Sequence, residues 1–377
     1  MKVLVTGAGG FIGKNLCARL AYENKIEVLP FEKDTEVGKL EEYSKTCEFV
    51  LHLAGVNRPK DPKEFQEGNF GFTSKLLSYL KQNKNDCPIM LASSTQAELD
   101  NPYGKSKLAG EELLRQYGEE TGAKILIYRF TNVFGKWCLP NYNSAVATFC
   151  YNTANGIPLT VNGRETKVKL IYIDDVVDEL ISALNGKENR DNAVFCQVQP
   201  DYTVTLGEIV DLLQEFKNSR ETKIVPDMTN ESFSKKLYST YLSYLPEQEF
   251  KYPLKMNVDE RGIFTEILRT AERGQFSVNI SKSGIEKGNH WHNTKNEKFV
   301  VVSGKALIQF RRPESKKIIS YHVSGEKLEV VDIPVGYTHN IINEGDTDLV
   351  TFMWCNECFD PERPDTFFLK VNDEIDD

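Results

Sequence analysis

The feature that most constrains the fold is a short apolar segment that runs directly into a glycine-rich loop. The segment is KVLVT at residues 2–6, and glycines follow at positions Gly7, Gly10 and Gly13, where a helical pattern begins. Glycine permits a tight turn and lets the backbone approach a pyrophosphate, while the next helix directs its N-terminal N–H groups at the same phosphates. The order of strand, glycine loop and helix therefore predicts a dinucleotide-binding fold, with a plain tight turn as the alternative.

Strand-like and helical segments alternate over the first 245 residues. The apolar runs EVLPF, CEFVLHLAG, CPIMLASS and AKILIYRF are separated by segments with helical spacing, which predicts an α/β doubly wound Rossmann-type parallel sheet. Near residue 245 the helical periodicity stops, and short strand-like runs separated by turns follow, which predicts an all-β sandwich or barrel. A chain of 377 residues is also long for one domain. We therefore expect two domains, 1–245 and 246–377.

A tyrosine and a lysine four residues apart, Tyr103 and Lys107, are expected on one face of a helix. An ammonium beside a phenol favours the phenolate, so Lys107 is expected to lower the pKa of Tyr103 and make it an acid/base near neutral pH. The segment Ser93-Ser94-Thr95 lies at the predicted end of the strand before this helix, which is the expected site for a hydroxyl that orients a carbonyl. The glycine loop, a hydroxyl at the strand end and the Tyr103 and Lys107 pair, in that order, form a specific combination.

The end of the second strand is where a dinucleotide fold selects its cofactor. An acidic residue there accepts the ribose 2′-OH of NAD, whereas a basic residue accommodates the 2′-phosphate of NADP. The segment PFEKD offers both Glu32 and Lys33. We favour Lys33 and NADPH.

A second candidate site lies in the predicted β-rich half. His290 and His292 are two residues apart, so on a strand both side chains point to one face. A turn follows, then Glu297, and His339 comes after a second turn. Three imidazoles and a carboxylate suit a divalent transition metal, with zinc as the expected ion, and can leave a coordination position open for a substrate.

Composition narrows the function classes. The net charge of −9 argues against nucleic acid or an anionic membrane as the main partner. No apolar run is long enough to span a bilayer, and no secretory signal is visible. The eight cysteines are scattered, which predicts reduced thiols in a cytoplasm. The one close pair, Cys355 and Cys358, is more easily explained by chance or packing than by a metal or redox site.

Five motifs carry a family resemblance. TGAGGFIG, HLAGV, YGKSK, YRFTNVFG and IYIDDVV resemble successive landmarks of the extended short-chain dehydrogenase/reductases that act on nucleotide sugars. The resemblance implies that Ser94 polarises the substrate carbonyl, that Tyr103 transfers the proton and that Lys107 binds the nicotinamide ribose. Only eight residues separate Ser94 from Tyr103, fewer than in most relatives, so the adjoining pocket is expected to be unusual. The implied cofactor contacts are Gly7, Gly10, Phe11, Ile12, Gly13, Lys33, Leu53, Ala54, Tyr103 and Lys107, and the candidate substrate contacts are Asn132, Arg164 and Lys169.

The later part of the chain resembles the cupins. The spacing from Gly284 through His290, His292 and Glu297 to Gly304 matches the first cupin motif, and the segment around His339 matches the core of the second. The resemblance implies a metal held by His290, His292, Glu297 and His339.

As a whole the chain resembles bifunctional bacterial enzymes that make capsular-polysaccharide precursors. That resemblance implies C3 epimerisation of a UDP-4-keto-6-deoxy-N-acetylhexosamine by the cupin. Reduction at C4 with NADPH would then give UDP-N-acetyl-6-deoxy-L-talosamine, on the route to UDP-N-acetyl-L-fucosamine, and a homodimer is expected. Lys298 and Tyr337 are candidates for the acid and base of the C3 step. A structural or regulatory cupin, or a cupin oxygenase fused to a dehydrogenase, remains an alternative.

Overall fold

The computed structural model of the chain describes residues 1–59, 61, 63–191, 194–270 and 272–372. It divides into two compact units, one formed by Met1–Gln214 with Met228–Pro246 and the other by Glu215–Asp227 with Glu247–Asp377. Among the described residues, no helix has both the length and the apolar character needed to cross a bilayer.

The first unit is built on a parallel sheet of five strands in the order β2-β1-β3-β4-β5. The strands of this sheet are β1 (Lys2–Thr6), β2 (Glu27–Phe31), β3 (Phe49–His52), β4 (Ile89–Ser94) and β5 (Ile125–Phe130). A smaller sheet is formed by β6 (Asn132–Phe134), β7 (Lys167–Tyr172) and β8 (Asp201–Thr205). The helices are α1 (Phe11–Leu20), α2 (Val37–Thr46), α3 (Lys63–Phe65), α4 (Phe72–Gln82), α5 (Pro102–Thr121), α6 (Ala145–Ala154), α7 (Ile173–Leu184), α8 (Leu206–Thr222) and α9 (Phe233–Leu242).

The central strands are apolar along their whole length because both faces of the sheet are covered. Val3 and Val5 contribute to the core on one side of β1, and Leu4 contributes to a separate core on the other side. A strand buried on both faces reads as a continuous apolar run rather than an alternating one. The predicted doubly wound parallel sheet is confirmed. Its strands end together at one edge, where the glycine loop and Ser94 lie.

The second unit is antiparallel β structure arranged in two sheets. Their strand orders are β16-β13-β18-β11-β10-β9 and β15-β14-β17-β12-β19. The strands are β9 (Asn257–Asp259), β10 (Gly262–Thr270), β11 (Gly274–Ser281), β12 (Glu286–Trp291), β13 (Glu297–Ser303), β14 (Lys305–Arg311), β15 (Ile318–Ser324), β16 (Val330–Ile333), β17 (Thr338–Asn343), β18 (Leu349–Cys355) and β19 (Phe367–Phe368). The predicted cupin-like all-β domain is confirmed. Strand pairing among the described residues gives two sheets with separate edges rather than one closed barrel.

A short segment that precedes the predicted boundary at residues 245–246 belongs to the second unit. Residues Glu215–Asp227 are held there by backbone pairing with β10. The N–H of Val225 donates to the carbonyl of Arg269 at 2.8 Å, and the N–H of Arg269 donates to the carbonyl of Lys223 at 2.7 Å. The second unit is therefore assembled from two separate stretches of the chain.

Candidate active site and candidate metal centre

The glycine loop closes tightly between β1 and α1. Gly7 has a positive φ of 73°, and its N–H donates to the carbonyl of Phe31 at 2.8 Å. A Cβ on Gly13 would lie 2.2 Å from the carbonyl oxygen of Gly7, so the loop and the helix can meet only without a side chain there. Gly10 caps α1 with no side-chain hydrogen bond, and the first turn carries no acidic residue. The helix N-terminus is thus open to a phosphate, which fits a dinucleotide cofactor.

The other predicted cofactor contacts cluster around the same loop. Phe11 and Ile12 are the first residues of α1. Leu53 and Ala54 directly follow β3, and a Cβ on Gly7 would lie 2.7 Å from the backbone nitrogen of Ala54. The fold therefore brings the HLAGV segment against the glycine loop.

The two candidates for cofactor selection both lie directly after β2. Glu32 and Lys33 are exposed. The Glu32 carboxylate is close to the loop, with Oε2 2.6 Å from the position that a Cβ on Gly9 would take. The carboxylate and the ammonium are both available at this end of the sheet.

Ser94, Tyr103 and Lys107 are brought together by the packing of α5 against β4. Ser94 ends β4, and its hydroxyl hydrogen-bonds Tyr103. The Lys107 Nζ donates to the carbonyl of Ala92 at 3.0 Å and lies 5.8 Å from the centre of the Tyr103 ring. The fold thus assembles a hydroxyl, a phenol and a buried ammonium at the carboxyl end of the sheet.

The structure distinguishes Ser94 from its two hydroxyl neighbours. Ser93 is turned to the other side, where its Oγ donates to the buried carboxylate of Glu111 at 2.5 Å. Thr95 is exposed and begins a short 3₁₀ helix. Ser94 is the hydroxyl of the three that contacts Tyr103.

Burial dominates the electrostatics of this site. It raises the pKa of Tyr103 by more than the hydrogen bond from Ser94 lowers it. It also lowers the pKa of Lys107 to about 8, against the opposing effect of Glu111. The predicted lowering of the Tyr103 pKa is therefore not found, because the phenol loses hydration and the ammonium is bonded to the Ala92 carbonyl. A phenol that stays protonated at neutral pH suits a proton donor.

The short interval between Ser94 and Tyr103 is compact. A 3₁₀ helix occupies Thr95–Glu98, and Asn101 then caps α5 by accepting a hydrogen bond from the N–H of Gly104 at 2.7 Å. The cap fixes the first turn of α5, on which Tyr103 lies.

Two of the three predicted substrate contacts meet on paired strands. The side-chain amide of Asn132 donates to the carbonyl of Lys169 at 3.1 Å. The Lys169 ammonium forms an ion pair with Asp201 at 2.8 Å. Arg164 is bound elsewhere, with one guanidinium nitrogen 2.7 Å from both carboxylate oxygens of Asp211. Lys169 and Arg164 thus each have a carboxylate partner. Their binding of a diphosphate stays a prediction.

The predicted metal ligands converge in the second unit. His290, His292, Glu297 and His339 each offer a ligand atom, and these atoms all lie within 4.8 Å of one another. The Glu297 Oε2 is 3.3 Å from the Nε2 of His339 and 3.6 Å from the Nε2 of His292. The turn at Gly336 helps bring them together, since its N–H donates to the carbonyl of His292 at 3.0 Å.

The cluster has the chemistry of a metal centre. The Nε2 of His292, the Oε2 of Glu297 and both ring nitrogens of His339 are buried and have no hydrogen-bond partner among the described residues. Burial lowers the pKa of His290 to about 4, which keeps its imidazole neutral. Burial alone would raise the pKa of Glu297, but the imidazoles of His292 and His339 hold that pKa well below its ordinary value. Neutral imidazoles and a carboxylate are the forms that bind metal, so the residues fit a divalent ion.

A residue that the sequence analysis missed orients one of these ligands. The carbonyl of Asp365 contacts the Nδ1 of His292, and a carbonyl can only accept, so Nδ1 carries a proton and Nε2 is directed toward the cluster. The Asp365 carboxylate accepts from the backbone N–H groups of Asn293, Thr294 and Lys295 at 2.9, 2.7 and 2.8 Å. Asp365 thus holds the turn that follows His292.

A second missed residue is Cys355, whose Sγ donates to the Oε1 of Glu297 at 3.0 Å. Cys358 bonds a different partner, the carbonyl of Thr270 at 3.7 Å, and both thiols are free. The two cysteines do not share a site, although Cys355 contacts a candidate metal ligand.

The candidate acid and base of the C3 step are not at the cluster. Lys298 follows Glu297 on β13, is half exposed and forms an ion pair with Asp332. The hydroxyl of Tyr337 accepts from the Nε of Arg312 at 2.9 Å. Neither is among the described residues that line the cavity of about 970 Å³ beside the cluster. Lys298 does not line the cavity although Glu297 does, because neighbouring residues of a strand face opposite sides of the sheet.

Known protein families match both halves of the chain. The profile of the NAD dependent epimerase/dehydratase family matches residues 3–196, and that of the polysaccharide biosynthesis C-terminal domain matches residues 257–367. The chain is 46% identical over 373 residues to a UDP-2-acetamido-2,6-beta-L-arabino-hexul-4-ose reductase of Pseudomonas aeruginosa. The alignment covers 99% of this chain and 100% of the relative.

Solved structures give the same result. The capsular polysaccharide assembling protein CapF from Staphylococcus aureus is 54% identical, with a TM-score of 0.93 over 98% of this chain and 100% of the other. A UDP-glucuronic acid 4-epimerase from Bacillus cereus, in complex with NAD, shares the fold alone, at 19% identity and a TM-score of 0.55 over 65% of this chain and 96% of the other. The end-to-end similarity confirms the resemblance that the motifs predicted.

Proposed function

The chain belongs to the NAD dependent epimerase/dehydratase family, and we propose on that basis that it is a bifunctional nucleotide-sugar enzyme of capsular-polysaccharide biosynthesis. The observation that carries the proposal is the presence of two complementary sites on one chain. One is the Ser94, Tyr103 and Lys107 site, and the other is the His/Glu cluster beside a cavity. The proposed substrate is a UDP-linked 4-keto-6-deoxy-N-acetylhexosamine.

We propose that the second unit epimerises this sugar at C3. The C3 proton is acidic because it lies next to the C4 ketone, and loss of that proton gives an enolate. A divalent metal, which we propose to be zinc held by His290, His292, Glu297 and His339, would supply Lewis-acid polarisation of the ketone when bound. Asp365 and Cys355 keep His292 and Glu297 in their ligand orientations.

In the first unit we propose that the C4 ketone is reduced, giving UDP-N-acetyl-6-deoxy-L-talosamine on the route to UDP-N-acetyl-L-fucosamine. The nicotinamide supplies hydride to C4 when bound. The Ser94 hydroxyl donates a hydrogen bond to the ketone oxygen, and Tyr103 gives that oxygen its proton. The raised pKa of Tyr103 supports this direction of proton transfer. Lys107 binds the nicotinamide ribose.

The proposed cofactor is NADPH, with Lys33 pairing with the 2′-phosphate. The exposure of Lys33 directly after β2 supports this assignment. NADH is the second candidate, because the Glu32 carboxylate lies beside Gly9, where it could accept a ribose hydroxyl. Comparing kcat/KM for the two cofactors in the wild type and in Lys33→Ala separates them: loss of an NADPH preference in the variant supports Lys33, and a wild-type preference for NADH supports Glu32.

The reaction is tested by incubating the 4-keto sugar nucleotide in deuterated water, with and without NADPH. We expect deuterium at C3 without cofactor, and a C4-reduced product with it. Tyr103→Phe removes one hydroxyl and should lower reduction by roughly 10²–10⁴-fold while exchange at C3 continues. His290→Ala should have the reverse effect. Each variant is the control for the other.

Three results would favour other functions. Absence of label at C3 in the wild type, with reduction intact, would leave a reductase with a structural or regulatory cupin. Oxygen uptake on turnover together with bound iron would indicate an oxygenase. Absence of any substrate-dependent NADPH oxidation would contradict the reductase.

We also propose a cytoplasmic homodimer. The free state of all eight cysteines supports a reducing compartment, since the Sγ atoms of Cys47 and Cys87 lie 3.8 Å apart without a disulfide. The partly buried aromatic side chains of Phe276, Phe352 and Trp354 lie together on one sheet, and a second copy covering them would support the dimer. Light scattering of the purified protein measures the oligomeric state, and a monomer mass would contradict the dimer.

A further inference from the structure

The cavity of the second unit has a wall of polar side chains. On β11, the residues Gln275, Ser277 and Asn279 line the cavity and are at least 95% buried, each being 4% exposed or less. The apolar residues between them point to the other face, which reverses the usual arrangement of an interior filled by apolar side chains. The Oγ of Ser277 is buried without a hydrogen-bond partner among the described residues. Such a wall suits a ligand rich in hydroxyl groups, such as a sugar.

Lys287 lines the same cavity, close to the metal cluster. It lies on β12 opposite Ile341 of β17, and His290 lies opposite His339 on the same pair of strands. Ile341 and His339 are two residues apart and both line the cavity. Two residues along a strand span roughly 7 Å, which is about the width of a sugar ring. One sugar could therefore contact the cluster and Lys287 together.

The hydrogen bonds of Lys287 fix the position of its Nζ, and neither of them is to a carboxylate that would pair with its charge. Its Nζ donates to the side-chain carbonyl of Asn279 at 2.7 Å and to the backbone carbonyl of Ile280 at 3.4 Å. The amide nitrogen of Asn279 donates in turn to the Oγ of Ser281 at 3.0 Å, which fixes which end of the amide faces Lys287. Both acceptors of Lys287 are neutral.

Unlike Lys287, most of the other charged side chains that line the cavity form ion pairs. Arg261 is bound by Asp259 at 2.6 Å, and Glu266 is bound by Lys223 and Arg269. Lys295 lies 3.4 Å from the Oε1 of Glu297, and Lys255 also lines the cavity and is exposed.

Burial also makes the Lys287 amine easier to deprotonate. Desolvation lowers its pKa, reinforced by the positive charge of Arg261 and opposed by Asp259. A lysine becomes a general base when its pKa moves toward the operating pH. This is consistent with the geometry, in which a positioned amine faces the cavity near the candidate metal centre.

We propose that Lys287 is the base that removes the C3 proton of the sugar in the second unit, a role that rests on the function proposed above. The neutral Nζ takes the proton as the C3–H bond breaks, and the bonding electrons move through C3–C4 onto the C4 oxygen to form the enolate. Water protonates C3 from the opposite face, which restores the ketone and leaves hydroxide. The hydroxide then takes the proton from the Lys287 ammonium, so the step is balanced with no other reactant.

The test measures deuterium exchange at C3 by NMR, with the 4-keto sugar nucleotide in deuterated water and no NADPH. Lys287→Met should lower the exchange rate by at least 10²-fold. Lys287→Arg keeps the length and charge of the side chain but cannot accept a proton, so it should lose exchange to the same extent. The matched control is Lys298→Met, an exposed lysine on the other side of β13, which should exchange like the wild type. Bound zinc and melting temperature are measured for each protein.

The outcomes separate this proposal from the proposed function. If the wild type fails to exchange C3, the epimerase function itself is contradicted. If the wild type exchanges and folded Lys287→Met does so equally fast, only the role of Lys287 is contradicted. Retained exchange in Lys287→Arg would show that the side chain supplies charge rather than a base, and would also overturn the proposal. If Lys287→Met loses zinc or unfolds, the C3 exchange rate of Lys287→Arg tests the role of Lys287 as a base.

Discussion

The Sγ of Cys355 donates a hydrogen bond to the Oε1 of Glu297 at 3.0 Å, while the other oxygen of that carboxylate lies 3.3 Å from the Nε2 of His339. Burial raises the pKa of Cys355, so the thiol keeps the proton that it donates. Cys355 therefore fixes the carboxylate in an orientation that leaves one oxygen free for a metal.

We expect Cys355→Ala to weaken zinc binding by roughly 10–100-fold, because Glu297 loses the donor that orients it. Cys355→Ser retains a donor and should stay within a few-fold of the wild type. Competition with a chromogenic chelator measures the affinity. Cys358→Ala is the control, since that thiol contacts Thr270 instead. Equal affinity in Cys355→Ala and the wild type would contradict an orienting role.

Gly13→Ala tests the glycine loop. The new Cβ would lie 2.2 Å from the carbonyl oxygen of Gly7 and 2.7 Å from that of Ala8, so the helix and loop must separate. We expect NADPH affinity to fall at least 10-fold and the free energy of unfolding to fall by about 1–3 kcal/mol. Calorimetric titration and urea unfolding measure the two quantities. At Gly38, no described heavy atom lies within 4 Å of an added Cβ, so Gly38→Ala should leave cofactor binding unchanged.

Arg129 forms an ion pair with the buried carboxylate of Glu111, which also accepts a hydrogen bond from Ser93. Its guanidinium bonds both oxygens of Glu111 at 2.8 and 2.7 Å, and the Glu111 side chain is fully buried. Removing one partner leaves a buried charge, so Arg129→Met should cost about 3 kcal/mol of stability. Arg115 makes one 3.2 Å contact with the same carboxylate from a more exposed position, and Arg115→Met should cost less than about 1 kcal/mol. Equal losses would contradict this assignment.

His52 makes stability depend on pH. Its Nδ1 and Nε2 lie 2.6 Å from the hydroxyl of Thr6 and 2.8 Å from that of Thr73, and burial, with a smaller contribution from Lys107, lowers the pKa of His52 to about 3. The unfolded value is near 6.5, so between these values the unfolded chain binds more protons. The contribution of neutral His52 to the free energy of unfolding is therefore complete above pH 6.5, and it is lost as the pH falls from 6.5 toward 3.

We therefore expect the wild type to lose about 2 kcal/mol more than His52→Asn between pH 7 and pH 5. Urea unfolding of the full chain at the two pH values measures the difference. The metal cluster is present in both proteins and cancels in the comparison. Parallel losses in the two proteins would show that His52 is protonated equally in the folded and unfolded states.

Local spacing was sufficient to predict the elements that lie within one stretch of chain. The glycine loop, the Tyr103 and Lys107 pair, and the His290, His292 and Glu297 set each follow from the geometry of one strand, turn or helix. The parallel sheet could be predicted because its apolar runs alternate with helices. The division of the β-rich unit into two sheets could not, since it depends on which distant strands pair.

By itself, the sequence determined the residue types at both candidate sites and which of them share a face, because backbone periodicity fixes the side-chain directions along each element. Only the tertiary structure brought Asp365 to His292 and Cys355 to Glu297, across separations of 73 and 58 residues. It also turned Lys298 away from the cavity and Lys287 toward it, and it raised the pKa of Tyr103 that the local lysine was expected to lower. The physical reason is that desolvation and long-range hydrogen bonds depend on packing between distant segments, which no local spacing encodes.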